Sequence, residues 1–167
     1  DSPMIRSNLW ALLALVAHRT STISLGPGVA IPGLAMAPVT ANAIGTINAI
    51  APGRTFLGVG TGNTALRAMG QVPMGIAELK AHLKVIRGLI SGEKVTYEAN
   101  GRSEEISFQS LELGYINLDD PIPIHVSGFG PKAQALAGEY GEALITGIPR
   151  GGSITDALAN AEVGAVR

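Results

Sequence analysis

The stretch "TFLGVGTGNTALRAMG", residues 55–70, decides how this chain is read. An apolar run closes on Gly58, Gly60 and Gly62, and a helix-forming segment follows. Strand, glycine turn and helix in that order are the first half of a parallel βαβ unit. Glycine turns after strands often hold phosphate, so the known motifs are the first test. A dinucleotide fingerprint needs G-x-G-x-x-G and an acid after the next strand. Here Asn63 stands where the third glycine belongs, and the next strand candidate, "PIPIHVSG", is neutral. A Walker A loop would need Gly-Lys-Ser/Thr, which is missing. Two readings stay open on the residues alone. The turn borders a ligand, or its glycines let one backbone pass close to another.

The same rhythm extends to both sides. Ser7 or Asn8 can cap a helix through "LWALLALVAHR". "STISLGPGVAI" reads as a strand broken by Gly-Pro-Gly, and Pro38 suits the first turn of a helix through "VTANAIGTINAI" that stops at Pro52-Gly53. After the opening stretch comes "GIAELKAHLKVIRGLISG". Ile76, Leu79, Leu83, Ile86 and Ile90 share one of its faces, and Gly92 caps it. "PIPIHVSGFG", "PKAQALAGEYG", "EALITGIP" and "SITDALANAEVGAV" then alternate strand and helix. One segment breaks the pattern: Asn100-Gly101 between β-prone arms predicts a two-residue hairpin, an excursion over residues 94–108. Four strands end in glycine-rich turns, "GPGVAIPG", "GVGTGN", "SGFGP" and "TGIPRGG". In a parallel α/β fold these turns gather at the carboxyl ends of the strands, where ligands bind.

Bulk properties narrow the functions. The 167 residues suffice for one domain with a sizeable core. A formal net charge of -1 gives no electrostatic case for nucleic acid or an anionic membrane. There is no cysteine, which removes disulfides and thiolate chemistry and fits a reducing, cytoplasmic setting. "LWALLALVA" is too short to cross a bilayer, and no signal peptide is seen. No His/Asp/Glu group has metal-ligand spacing, so no metal is expected.

The order of motifs is more specific than any one of them. "ISLGPGVAIPGLAMAPVTANAIGTINAIAPGRTFLGVGTGNTALRAMG" followed by "IPIHVSGFGPKAQALAGEYGEALITG" resembles the luciferase-like monooxygenase superfamily. Its branch of methylenetetrahydromethanopterin reductases, which use a deazaflavin, is the nearest in pattern. The resemblance implies an α/β fold that is part of a (β/α)8 TIM barrel, about strands three to six with their helices. The whole chain, residues 1–167, would be a single partial barrel domain. A half-barrel leaves edge strands unpaired. The chain is therefore expected to be a fragment, or to be completed by a second copy, or to belong to a longer protein.

The resemblance further implies a flavin- or deazaflavin-dependent oxidoreductase or monooxygenase, with the deazaflavin coenzyme or FMN as cofactor. A small-molecule substrate and a homodimer are expected as partners. Ser127, Gly128, Phe129 and Gly130, with Thr146 and Gly147 after the next strand, would hold the cofactor phosphate. A helix N-terminus and exposed N–H groups suit an anion there. Gly28, Val29 and Ala30 would back the ring, with a cis Gly28–Val29 peptide. Gly60, Thr61, Gly62 and Asn63 would lie beside the ring or its side chain, which answers the opening question in favour of a border and not a phosphate grip.

Asp1 matches the family acid at the end of the second strand, but Ser2 follows it where several relatives have histidine, which weakens an acid–base role. His125 is a second catalytic candidate. It shares a strand side with Ser127, and a core role competes. His18 and His82 are expected to be solvated. Arg54 is expected to be structural, at the opposite end of the barrel. "GLAMAP" is apolar where many relatives are polar, which points to a less charged substrate. The alternatives are a non-catalytic flavin-binding protein with a reduced barrel and an assembly unit. A sugar-phosphate aldolase or isomerase would need a lysine or paired carboxylates at strand ends, and none is seen.

Overall fold

A computed structural model describes residues 1–147 and 152–166. The elements follow the predicted alternation. They are α1 (Leu9–Arg19), α2 (Ala37–Ile50), β1 (Leu57–Val59), α3 (Asn63–Ala68), α4 (Ile76–Ile90), β2 (Val95–Ala99), β3 (Arg102–Ile106), β4 (Ile124–Ser127), α5 (Pro131–Tyr140), β5 (Ala143–Ile145) and α6 (Ile154–Ala165).

Local chemistry explains several boundaries. Asn8 Oδ1 accepts from Ala11 N–H and starts α1, as its short polar side chain predicts. Pro38 lies in the first turn of α2, where its missing N–H is harmless. Gly75 N–H donates to Glu78 Oε2 at 2.8 Å, satisfying one donor at the start of α4. Asn100 and Gly101 both take positive φ, 53° and 72°, and join β2 to β3 in an antiparallel hairpin.

β1, β4 and β5 form a parallel sheet in the order β1-β4-β5. Leu57 and Val59 in β1 and Ile124 and Val126 in β4 are fully buried beneath the helices. There they meet Ile44 and Ile47 of α2 and Leu79, Leu83 and Ile86 of α4 in one apolar core. Burying side chains of this size contributes about 1.5–3 kcal/mol each. The alternate residues, Gly58, His125 and Ser127, lie on the opposite face of the sheet.

One strand is shorter than expected. The segment at 21–31 pairs with β1 and the residues just before it through two isolated parallel bridges, Leu25 with Thr55 and Ala30 with Val59. Between them Pro27 has no N–H to donate, and the Gly28–Val29 peptide is cis, as the resemblance implies. The segment still flanks β1, so four parallel chain segments lie side by side.

A polar network closes the amino end of the sheet. Asn48, fully buried, accepts from Thr55 Oγ1 at 2.7 Å and donates to the carbonyls of Asn117 and Asp120 at 3.0 and 2.9 Å. Arg54 is structural, as expected. Its guanidinium donates to the carbonyls of Ala17, Thr20 and Ile23 and to Thr20 Oγ1. It thereby fixes the exit of α1 to the start of β1.

Candidate functional site

The carboxyl ends of the parallel segments open into a cleft of about 860 Å³. That volume lies in the range of single-ligand sites. Ten of the residues singled out in the sequence line it: Asp1, Gly28, Val29, Gly60, Thr61, Gly62, Asn63, Ser127, Phe129 and Gly130. They come from four separate places in the chain, and the parallel topology alone brings them together.

The other five take different positions. Ala30 and Gly128 are buried behind the wall. Thr146 and Gly147 lie beyond the lining. They are tied to it because Gly128 N–H donates to Ile145 O at 3.0 Å. The rest of that turn, residues 148–151, lies outside the described residues. His125 does not line the cleft, and its ring stacks on Phe56.

The glycines of the opening stretch have a packing role that the structure makes explicit. A Cβ at Gly58 would collide with Pro27 O, and one at Gly60 would press on Val29 Cγ2 at 3.0 Å and Ser127 Cβ at 3.1 Å. Gly62 has φ +75°, the left-handed region, and caps α3. Close backbone packing and a cleft border are therefore both true of this turn. Gly28 and Gly130 differ: a Cβ at either would meet nothing within 4 Å, so open space lies before them.

Several polar groups at the cleft are uncommitted among the described residues. The hydroxyls of Thr61 and Ser127 and the N–H groups of Phe129, Gly130 and Lys132 make no hydrogen bond there. Asn63 Oδ1 accepts from Arg67 Nε at 2.7 Å. Arg67 and Lys132 are the lysine and arginine side chains of the lining, and Asp1 is its carboxylate. Val29, Ile31, Ile76 and Phe129 supply apolar surface. A flat, apolar ring with a short anionic arm fits this lining. The space before Gly28 is open, and the free donors at the start of α5 suit an anion.

Two expectations are corrected here. His82 is not solvated. Its Nε2 is buried without a partner among the described residues, and burial pulls its pKa down to about 4. It faces a groove between α4 and β2, which an α4 helical wheel without the hairpin does not reveal. The second correction concerns "GLAMAP". None of Leu34, Ala35, Met36 and Ala37 lines the cleft, so the inference of a less charged substrate has no support from them. Sequence reading passed over Arg67 and Lys132. Their spacing from the glycine turns was the available signal: Arg67 is four residues after Asn63, and Lys132 two after Gly130. Among the described residues there is no group of three or more His, Cys, Asp or Glu that could hold a metal, and no helix long and apolar enough to cross a membrane.

A sheet whose strand-end turns converge on one cleft is the arrangement of barrel enzymes that bind ligands at their carboxyl face. The family described as "Luciferase-like monooxygenase" matches residues 2–165, and the chain belongs to it. The 5,10-methylenetetrahydromethanopterin reductase of Archaeoglobus fulgidus is 35% identical over 140 residues, spanning 83% of this chain and 40% of that protein. An F420-dependent glucose-6-phosphate dehydrogenase of Nakamurella multipartita is 34% identical over 145 residues, 80% of this chain and 40% of that one. Among solved structures, the coenzyme F420 dependent tetrahydromethanopterin reductase from Methanopyrus kandleri superposes with a TM-score of 0.73 at 24% identity. That match covers 96% of this chain and 50% of the other. The fold is therefore part of a luciferase-like barrel, and the chain spans about 40% of the length of these curated relatives.

Proposed function

We propose that this chain supplies the cofactor-binding part of a flavin- or deazaflavin-dependent oxidoreductase, with the deazaflavin coenzyme F420 preferred over FMN. The convergence of four strand-end segments on one cleft carries the reading. The preference for F420 rests on similarity to a relative named as F420-dependent.

In this reading Ser127, Gly128, Phe129 and Gly130, with the first turn of α5, hold the phosphate by N–H donation and helix polarity. Thr146 and Gly147 support that turn from β5. Gly28, Val29 and Ala30 back the ring, and the Thr61 hydroxyl and the Asn63 amide hydrogen-bond its edge. The bound cofactor would supply two-electron hydride chemistry. The chain's own part is to orient the ring, to exclude water with Val29, Ile31 and Phe129, and to place the Asp1 carboxylate at the cleft. The substrate is a small molecule, and the protein pairs as a homodimer, which light scattering on an eluting peak tests.

A second reading has one observation in its favour: among the described residues Asp1 is the one acid of the lining, and no histidine joins it. A cleft without an acid–base pair suits a non-catalytic flavin-binding protein. Fluorescence titration of the purified chain with FMN and with the deazaflavin coenzyme tests the binding claim. Saturable micromolar binding supports it, and binding of neither refutes it for this chain. Turnover of reduced cofactor with candidate substrates separates enzyme from carrier.

A further inference from the structure

The Asn63–Arg67 pair holds the second charged feature of the cleft. Arg67 can only donate, so the Asn63 atom at 2.7 Å from its Nε is the carbonyl oxygen. That fixes the amide: Asn63 Nδ2 is directed away from Arg67, as a donor. The contact uses one guanidinium nitrogen. Arg67 Nη1 and Nη2 have no hydrogen-bond or ion-pair partner among the described residues, and both residues line the cleft. Among the described residues no glutamate lines it, and its carboxylate, Asp1, comes from a different strand end. Among the described residues two cationic side chains, Arg67 and Lys132, face one anionic side chain, Asp1, in the lining. Arg67 stands on α3, after β1, whereas Lys132 stands on α5, after β4. The two cations belong to different strand-end turns.

We propose that Arg67, braced by Asn63, is a specificity residue that takes a second anionic oxygen group, a carboxylate or phosphate, distinct from the anion at the start of α5. The proposal rests on the cleft being the cofactor site described above. A guanidinium with both Nη ends available matches such a group by paired donation, and a fixed amide N–H beside it adds a third donor. The anion has two sources. It belongs to the acidic arm of the cofactor, which the deazaflavin coenzyme carries beyond its phosphate and FMN lacks, or it belongs to the substrate.

The test uses the full chain, its R67Q and R67K variants, and two readouts. The first is the dissociation constant of FMN and of the deazaflavin coenzyme. The second is the side-chain NMR signals of Asn63 Nδ2 and Arg67 Nε during titration with inorganic phosphate. If the anion is the cofactor's, R67Q weakens the deazaflavin coenzyme about tenfold while FMN is unchanged, and R67K recovers part of the loss. If it is the substrate's, both cofactors bind R67Q normally. Phosphate then shifts the Asn63 and Arg67 signals saturably in the wild type, and the Asn63 shift is lost in R67Q. Should neither cofactor bind the wild type, the phosphate shifts still decide the matter. They uphold the anion contact while the cofactor reading fails. Unchanged affinities together with phosphate shifts absent from, or confined to Gly130 and Lys132 and not at, Asn63 and Arg67 overturn the proposal. Arg67 would then be a helix-surface residue pairing with Asn63 alone.

Discussion

The rings of Phe56 and His125 stack face to face, with centroids 4.5 Å apart and planes 13° from parallel. Phe56 immediately precedes β1, and His125 sits in β4 opposite Gly58. Gly26 completes the layer, since a Cβ there would fall within 2.8 Å of the Phe56 ring. The stack is a floor beneath the cleft. It explains why a histidine that the alternation of β4 aims at the barrel interior does not reach the ligand side.

From this floor a first prediction follows for His125. His125→Phe keeps the stack and leaves the melting temperature within a few degrees. His125→Ala removes the ring contact and the area it covers, a loss of about 1–2 kcal/mol. Cofactor affinity stays unchanged in the Phe variant. A Phe variant that folds but has lost all turnover in a working assay would give His125 the catalytic part that its position denies.

The glycines make a paired prediction. Gly58→Ala drives its methyl into Pro27 O, a backbone atom that cannot swing aside, and costs about 2–3 kcal/mol or prevents folding. Gly130→Ala meets no atom within 4 Å, so its stability stays within about 1 kcal/mol of the wild type. Its methyl enters the cleft beside the free donors of α5, and cofactor binding weakens. Urea unfolding and the fluorescence titration, run on both variants, separate the two effects. Equal loss of stability would show that Gly130 is also closed by packing.

Arg54 gives a third. It donates to three carbonyls at the end of α1 and beyond, far from the cleft lining. Arg54→Ala leaves those acceptors to water and costs about 2–3 kcal/mol, with cofactor affinity unchanged. Arg54→Lys recovers less than half, because an ammonium lacks the planar fork that spans Ala17, Thr20 and Ile23. Melting curves check the order wild type, Lys, Ala.

The parts of the fold legible in the sequence were those fixed locally. Asn8, Pro38 and the Asn100-Gly101 turn each satisfy a backbone need within a few residues, and all three sit where the sequence put them. The converging strand ends were legible because parallel topology forces them together. What could not be read required neighbours distant in the chain. Asn48 meets Asn117 and Asp120 across about seventy residues, so its buried network left no local trace. The strand at 21–31, read as broken by Gly-Pro-Gly, is broken further than that: two isolated bridges are what remains of its pairing on either side of Pro27. Arg67 was missed because an arginine on a short helix has no signature until a cleft is seen beside it.

His82 supplies the last prediction. Burial holds its pKa near 4 in the fold, below the ordinary 6.5, and among the described residues Nε2 has no partner. The folded state therefore keeps His82 neutral between these values while the unfolded chain takes up a proton. The sign follows: stability is unaffected by this group above about pH 6.5 and declines as the pH falls from there towards 4. The groove it lines also holds Glu78, Glu93, Glu98, Lys84, Lys94 and Arg87, whose charges are screened by solvent. Carboxylates titrate in the same window, so the wild-type curve alone does not isolate the effect. The difference between wild type and His82→Gln does. Gln stays neutral, so the variant loses less stability between pH 6.5 and 4 than the wild type, and the two curves run parallel above pH 7. Melting temperatures at half-unit pH steps measure it. Parallel curves throughout would mean that His82 gains its proton in the fold as readily as in the unfolded chain, and that α4 and the hairpin part to let water reach Nε2.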